Sequence, residues 1–221
     1  VRLAFYSDIL GANKEFDRAV YELIGKKKPK IGYISSETDK ERKYFKDVKD
    51  HYQQYGFSEF LYFDLDKEYR PKIKEALATC DAIHLSGGNT YHFLYHIKRR
   101  EFSSFLREYA RKKGVLIGIS AGAIIMAPTI AITTLFKGEP EDRNRLGLKD
   151  FSALNLVNFE FFPHFGAQGR EEKIRAYSQR CPRLIYACKD GTGIIINGKK
   201  TTFFGDVKCF RRGRLVGIIR A

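Results

Sequence analysis

The run Gly114-Val115-Leu116-Ile117-Gly118-Ile119-Ser120-Ala121-Gly122-Ala123 constrains this chain more than any other stretch. Val115 to Ile119 has the length, apolarity and β-branching of a parallel strand buried on both faces. Small residues follow Ser120 before Ile124-Ile125-Met126 resume an apolar pattern that reads as a helix. Gly118-Ile119-Ser120-Ala121-Gly122 is therefore a G-x-S-x-G sequence set between a strand and a helix. A serine at such a bend is lifted out of the sheet, and the flanking glycines keep Cβ atoms out of the crowded turn. The first amides of the following helix then point where a negative charge on an attacked carbonyl would develop.

Around this element the chain alternates strands and helices. Strands are predicted at residues 3–6, 31–35, 60–63, 82–85 and 115–119, and helices over 13–23, 39–55, 71–78, 91–98 and 101–113. Thr38 or Asp39 is the expected N-cap of the long polar helix. That alternation predicts a mostly parallel central sheet with helices on both faces, a three-layer α/β sandwich whose active site lies at the carboxyl ends of the strands. Past Met126 a charged loop covers residues 137–149, residues 154–165 read as a strand, and 171–179 as a helix. A strand over 184–186 and short β runs from Gly193 onward follow, the latter split by Asn197-Gly198, Gly205-Asp206 and Arg212-Gly213. These predict a C-terminal antiparallel meander. With 221 residues, no repeats and no linker, residues 1–221 are expected to form a single domain.

Composition narrows the function classes. No apolar run approaches the ~18 residues of a membrane span. Val1 to Asp8 reads as a first strand rather than as a signal peptide. Cys80, Cys181, Cys188 and Cys209 are scattered without C-x-x-C spacing, the pattern of reduced thiols in a cytoplasmic protein rather than of disulfides or zinc. The net charge is +14, of which residues 170–221 carry +9, from 13 Lys and Arg against 4 Asp and Glu. A nucleic-acid face is one reading of this surplus. The basic residues fall in hairpin turns, alternate poorly with aromatics and accompany no nucleic-acid-binding motif, which favours a solvated basic surface. Such a surface can still attract acidic substrates, or hold an anionic partner if the protein binds without turnover.

A serine nucleophile needs a base, and the chain has five histidines. His51 falls on a polar helix and is expected in solvent, and His84 lies inside a buried strand, where a hydrogen-bonded core role is expected. His92 and His96 share a helix face at i, i+4 spacing, which suits metal chelation. No third ligand is apparent in the sequence, so no metal or cofactor is expected. His164, in Phe161-Phe162-Pro163-His164-Phe165, ends an apolar strand at the edge where Ser120 should stand, and is the best candidate base. Ser86-Gly87-Gly88-Asn89-Thr90, after another strand, reads as a turn in which Asn89 or Thr90 caps a helix and glycine amides converge on an anion. Were the two strand ends neighbours, the amides of Gly88 and Ala121 would form an oxyanion hole.

Taken together, Gly87-Gly88-Asn89-Thr90, Gly118 to Ala123, Phe151-Ser152-Ala153-Leu154-Asn155-Leu156, Pro163-His164-Phe165 and Gly169-Arg170-Glu171-Glu172 resemble the aspartyl dipeptidase (dipeptidase E) and cyanophycinase family of serine peptidases. These share the class I glutamine amidotransferase-like fold. The resemblance implies Ser120 as nucleophile, His164 as general base, and a substrate of short peptides with N-terminal Asp, with no cofactor. Serine at the elbow, where amidotransferases carry cysteine, disfavours glutamine hydrolysis. Counting back from Phe151 and His164 places Asp142 where the family has its acid, whereas counting forward from Ser120 falls near Leu135-Phe136. Glu139, Glu141 and Asp190 compete for the role, and Asp142 is the choice made here. Asn89 and Thr90 are expected near the substrate. Arg170 matches the position taken to read the substrate's aspartyl carboxylate, a task suited to a bidentate guanidinium.

Overall fold

The computed structural model describes residues 1–9, 13–112, 114–136, 142–166 and 169–220. Glu139 and Glu141, two candidates for the acid, lie outside the described residues.

The large sheet follows the predicted alternation. Its parallel part comprises β1 (Arg2–Tyr6), β2 (Lys30–Ser35), β3 (Glu59–Asp64), β4 (Ala82–Leu85) and β5 (Val115–Ile119). Two antiparallel strands, β8 (Gly193–Asn197) and β9 (Lys200–Phe204), extend it to the order β3-β2-β4-β5-β1-β8-β9. A second sheet of order β11-β10-β7-β6 is built from β6 (Phe159–Phe162), β7 (Leu184–Cys188), β10 (Val207–Arg211) and β11 (Arg214–Ile219). The C-terminal antiparallel strands are thus shared between two sheets. The β8–β9 hairpin, turning at Asn197-Gly198 with Gly198 at φ 61°, pairs with β1, and the β10–β11 hairpin pairs with β7.

Side-chain alternation sorts the β1 and β5 residues into two cores, one on each face of the large sheet. Ala4, Tyr6, Val115, Ile117 and Ile119 pack with Phe16, Val20 and Leu23 of α1 (Lys14–Ile24) and with Val48 and Tyr52 of α2 (Lys43–Gln53). Leu3, Phe5 and Leu116 face the other way, into a larger core shared with α3 (Ile73–Ala78), α4 (Thr90–Arg99), α5 (Phe102–Arg111), α6 (Ala121–Met126), α7 (Arg170–Arg180) and the second sheet. The outcome is an α/β architecture with a mostly parallel large sheet and a second, antiparallel-rich sheet. Among the described residues no helix is long and apolar enough to cross a membrane.

Three local expectations are corrected. The helix expected from residue 39 begins at Lys43, because Arg42 adopts left-handed φ 54° and Asp39 caps from a distance, its carboxylate accepting from the Tyr44 amide at 3.1 Å. The strand expected over 154–165 is confined to β6. The segment before it is turned against the end of α6: the amides of Ala153, Leu154, Asn155 and Leu156 donate to the carbonyls of Pro128, Ile125, Ala127 and Met126. Carbonyls left over at a helix end are satisfied in this way. His51 is not solvated; its Nε2 lies 3.2 Å from the buried Asp17 carboxylate.

Candidate active site

Strand pairing brings the chemistry together. Tyr6 of β1 is in register with Ile119 of β5, and Leu85 of β4 with Gly118, so the residues that leave these three strands do so side by side. Ser7, Ser120 and Ser86 are those residues. In the second sheet β6 and β7 are parallel, with Phe162 opposite Ala187, so the turns carrying His164 and Asp190 leave one edge together. The two sheets meet at this edge.

Ser120 sits on the predicted sharp turn, with φ 48° and ψ −107°. Such a conformation costs a non-glycine residue about 1–3 kcal/mol and persists only where the surroundings impose it. They do so here through three hydrogen bonds: Ser120 N donates to Tyr6 O, Gly122 N to Ser86 O, and Ile124 N to Ser120 O, each at 3.0 Å. The glycines are demanded by contact. A Cβ on Gly118 would lie 2.6 Å from Ala123 N, and one on Gly122 would overlap the Leu85 carbonyl oxygen. His164 is also held at positive φ, 54°.

The imidazole of His164 joins two groups. Its Nε2 lies 2.9 Å from Ser120 Oγ, and its Nδ1 lies 2.7 Å from Asp190 Oδ1. A carboxylate can only accept, so Nδ1 carries the proton and donates it to Asp190, leaving the Nε2 lone pair directed at the serine hydroxyl. Histidine and aspartate are 32% and 51% exposed, so the pair opens to solvent where a substrate could arrive.

This geometry corrects the choice of Asp142 as the group beside the imidazole. Asp142 stands instead at the amino end of α4, where Oδ1 accepts from Thr90 N at 2.8 Å and Oδ2 from Thr90 Oγ1 at 3.2 Å. A carboxylate is favoured there because the first amides of a helix lack intrahelical acceptors. Asn89 and Thr90 are engaged in the same junction: Asn89 Oδ1 accepts from His92 N, and its Nδ2 donates to Arg143 O, both at 2.8 Å. Gly88, at φ 115°, packs so closely on Ser36 that a Cβ would collide with its hydroxyl, and Gly87 lies against Ser120. Of the two expected oxyanion donors, Ala121 follows Ser120 directly, and Gly88 follows Gly87. Arg170, first residue of α7, donates from Nη1 to the His164 carbonyl and lays its guanidinium over the Phe136 ring, 5.0 Å from the centroid.

Sequence reasoning missed Ser7. Fully buried, its hydroxyl accepts from the His164 amide at 2.7 Å and stands 2.9 Å from Asp190 Oδ1 and 3.1 Å from Cys188 O. A hydroxyl has one proton, so it serves one of those two acceptors at a time. The available signal was a polar residue at the carboxyl end of the first buried strand, Leu3-Ala4-Phe5-Tyr6-Ser7.

The model of Peptidase family S51 matches residues 7–204, which is most of the chain and includes Ser7, Ser120, His164, Arg170 and Asp190. The chain belongs to peptidase family S51. Among relatives of this S51 peptidase, the uncharacterized peptidase PM1590 of Pasteurella multocida is 28% identical over 179 residues, 79% of this chain and 83% of that protein. Uncharacterized peptidase Lmo0363 of Listeria monocytogenes is 30% identical over 142 residues, and Peptidase E of Actinobacillus pleuropneumoniae 28% over 155 residues. The latter two matches cover 62% and 65% of this chain, and 66% and 62% of the relatives, just under two thirds of their length. Solved structures share the fold. A Listeria monocytogenes protein described as a candidate peptidase E superposes with TM-score 0.76 at 24% identity, covering 92% of this chain and 97% of its own. A peptidase from an acI-B1 actinobacterium gives TM-score 0.72 at 16% identity, covering all of this chain and 94% of its own.

Proposed function

We propose that this S51 peptidase is a serine dipeptidase that cleaves short peptides, preferentially those with N-terminal Asp, through an acyl-enzyme on Ser120. The observation that carries the reading is the continuous hydrogen-bonded line Ser120 Oγ–His164 Nε2 and His164 Nδ1–Asp190 Oδ1, at 2.9 and 2.7 Å. Ser120 Oγ attacks the scissile carbonyl while its proton passes to His164 Nε2. The amides of Gly88 and Ala121 donate to the oxyanion. Collapse of the tetrahedral intermediate breaks the C–N bond, and His164 returns the proton to the departing amine. Water then attacks the acyl carbonyl, gives its proton to His164, and the acid product leaves as that proton returns to Ser120 Oγ. Asp190 holds the imidazole in the tautomer and orientation this requires. Asn89 and Thr90 act by fixing the turn that presents Gly88.

Specificity for Asp rests on Arg170, whose guanidinium stands on the same edge as the imidazole through its bond to the His164 carbonyl. The test is hydrolysis of a panel of Asp-X, Glu-X and β-aspartyl dipeptides by the natural protein and by Ser120→Ala. Cleavage of Asp-X, lowered about 10⁴-fold or more in the variant, is expected from loss of the nucleophile. Failure of the natural protein to cleave any of these, or unchanged turnover by Ser120→Ala, overturns the reading.

A further inference from the structure

A second cluster of chemically capable side chains lies behind the glycine turn. Asp66, His92 and His96 each offer a metal-ligand atom within 4.8 Å of the others. His92 and His96 come from successive turns of α4, and Asp66 from the loop after β3. The sequence displayed the two histidines but hid the carboxylate, which only the packing of that loop on α4 supplies.

The spacings are informative. His92 Nε2 lies 3.6 Å from Asp66 Oδ2, and His96 Nε2 lies 3.5 Å from Asp66 Oδ1. Both exceed the 2.7–3.2 Å range of an N–H···O hydrogen bond. They approach instead the separation of about 3.3 Å between neighbouring ligands of a tetrahedral ion bound at about 2.0–2.1 Å. The ring of His92 is prepared for such a ligand. His92 Nδ1 lies 3.0 Å from the Ser36 carbonyl, which can only accept, so the proton is on Nδ1 and the Nε2 lone pair faces the carboxylate. His96 is buried, and its Nδ1 has no hydrogen-bond partner among the described residues, so its polar contact is made at Nε2 alone. Arg100 fixes the ligand loop by donating to the Leu65 and Asp66 carbonyls. Its charge also opposes a cation, which lowers the expected affinity without altering the ligand set.

We infer that Asp66, His92 and His96 bind one late first-row divalent cation of the zinc class, leaving the fourth coordination position to water. Imidazole and carboxylate donors suit that class. The ion would sit one residue behind the catalytic turn: His92 binds the Ser36 carbonyl, and Ser36 Oγ donates to Gly87 O at 2.6 Å. This inference is independent of the peptidase reading.

It is tested on the full chain after chelator treatment, by calorimetric titration with Zn²⁺ and by the visible absorption of the Co²⁺-loaded protein. One ion per chain is expected, with Co²⁺ bands of four- or five-coordinate N,O ligation. His92→Gln is expected to weaken binding at least 100-fold and Asp66→Asn at least 10-fold. Both sites are part-exposed, and circular dichroism of the metal-free variants checks that they fold. The rival position is Asp8, His164 and Asp190, the other ligand cluster found among the described residues. Binding unchanged in His164→Gln supports the inference. No binding by the natural chain, or binding lost in His164→Gln and kept in folded His92→Gln, overturns it.

Discussion

Asp190 decides which proton His164 carries. With the acid in place Nδ1 is the donor, and Nε2 presents its lone pair to Ser120 Oγ. An amide at position 190 can present its NH₂ to Nδ1 and move the proton to Nε2, the wrong tautomer for a base. Asp190→Asn should therefore lower kcat by about 10²–10⁴-fold with little change in KM. Asp142→Asn should leave kcat within a few-fold and instead lower stability by about 0.5–2 kcal/mol through the α4 amino end. Steady-state kinetics and urea unfolding of the two variants separate the roles. Ser120 and His164 were legible in the sequence because each lies inside a short motif whose neighbours explain it. Asp190 was only one of several candidates, since 26 residues separate it from His164 and only the parallel pairing of β6 with β7 closes that gap. Ser7 was invisible for the same reason, its partners lying 157 and 183 residues away.

Elements differed in how openly the sequence declared them. The strands at 82–85 and 115–119 coincide with their expected bounds, because a strand covered on both faces is a bare apolar run. The second sheet was harder to read: which sheet a C-terminal hairpin joins depends on pairing, and the turn signals that delimit the hairpins say nothing about their neighbours. Residues 154–156 read as the start of a strand by apolarity, yet they spend their amides on the end of α6. The elbow itself is an element whose sequence requirement is steric. Gly122→Ala drives a methyl into the Leu85 carbonyl and must separate α6 from β4. A loss of about 1–3 kcal/mol in urea unfolding is expected, the usual cost of overpacking, together with loss of activity as Ser120 shifts. Unchanged stability and turnover in Gly122→Ala would contradict the tight contact.

At the scale of the whole molecule, the core that holds α1 and α2 also encloses a titratable ring. His84 is fully buried, stacked on Tyr33 at 4.9 Å, and its Nδ1 lies 3.1 Å from Tyr52 Oη. Burial lowers its pKa from 6.5 to about 3, with the nearby His51 adding to the effect. Above pH 6.5 the ring is neutral in both folded and unfolded chains, and its contribution to stability is fully present. Below 6.5 the unfolded chain takes up the proton first, so stability falls as pH drops toward 3, by up to about 1.4 kcal/mol per pH unit. The urea midpoint should decline between pH 6.5 and 5 in the natural protein and decline less steeply in His84→Phe. Equal slopes would show that His84 does not govern this range. The division of the site between two sheets also has a consequence in time. Ser120 follows the last strand of the parallel part of the large sheet, His164 is synthesised later, and Asp190 and the β8 strand beside β1 come later still. A chain still emerging from the ribosome can form the elbow, but it has no acid with which to orient the imidazole. A partly made copy thus holds the serine and the imidazole before it holds the carboxylate that meets His164 Nδ1 at 2.7 Å.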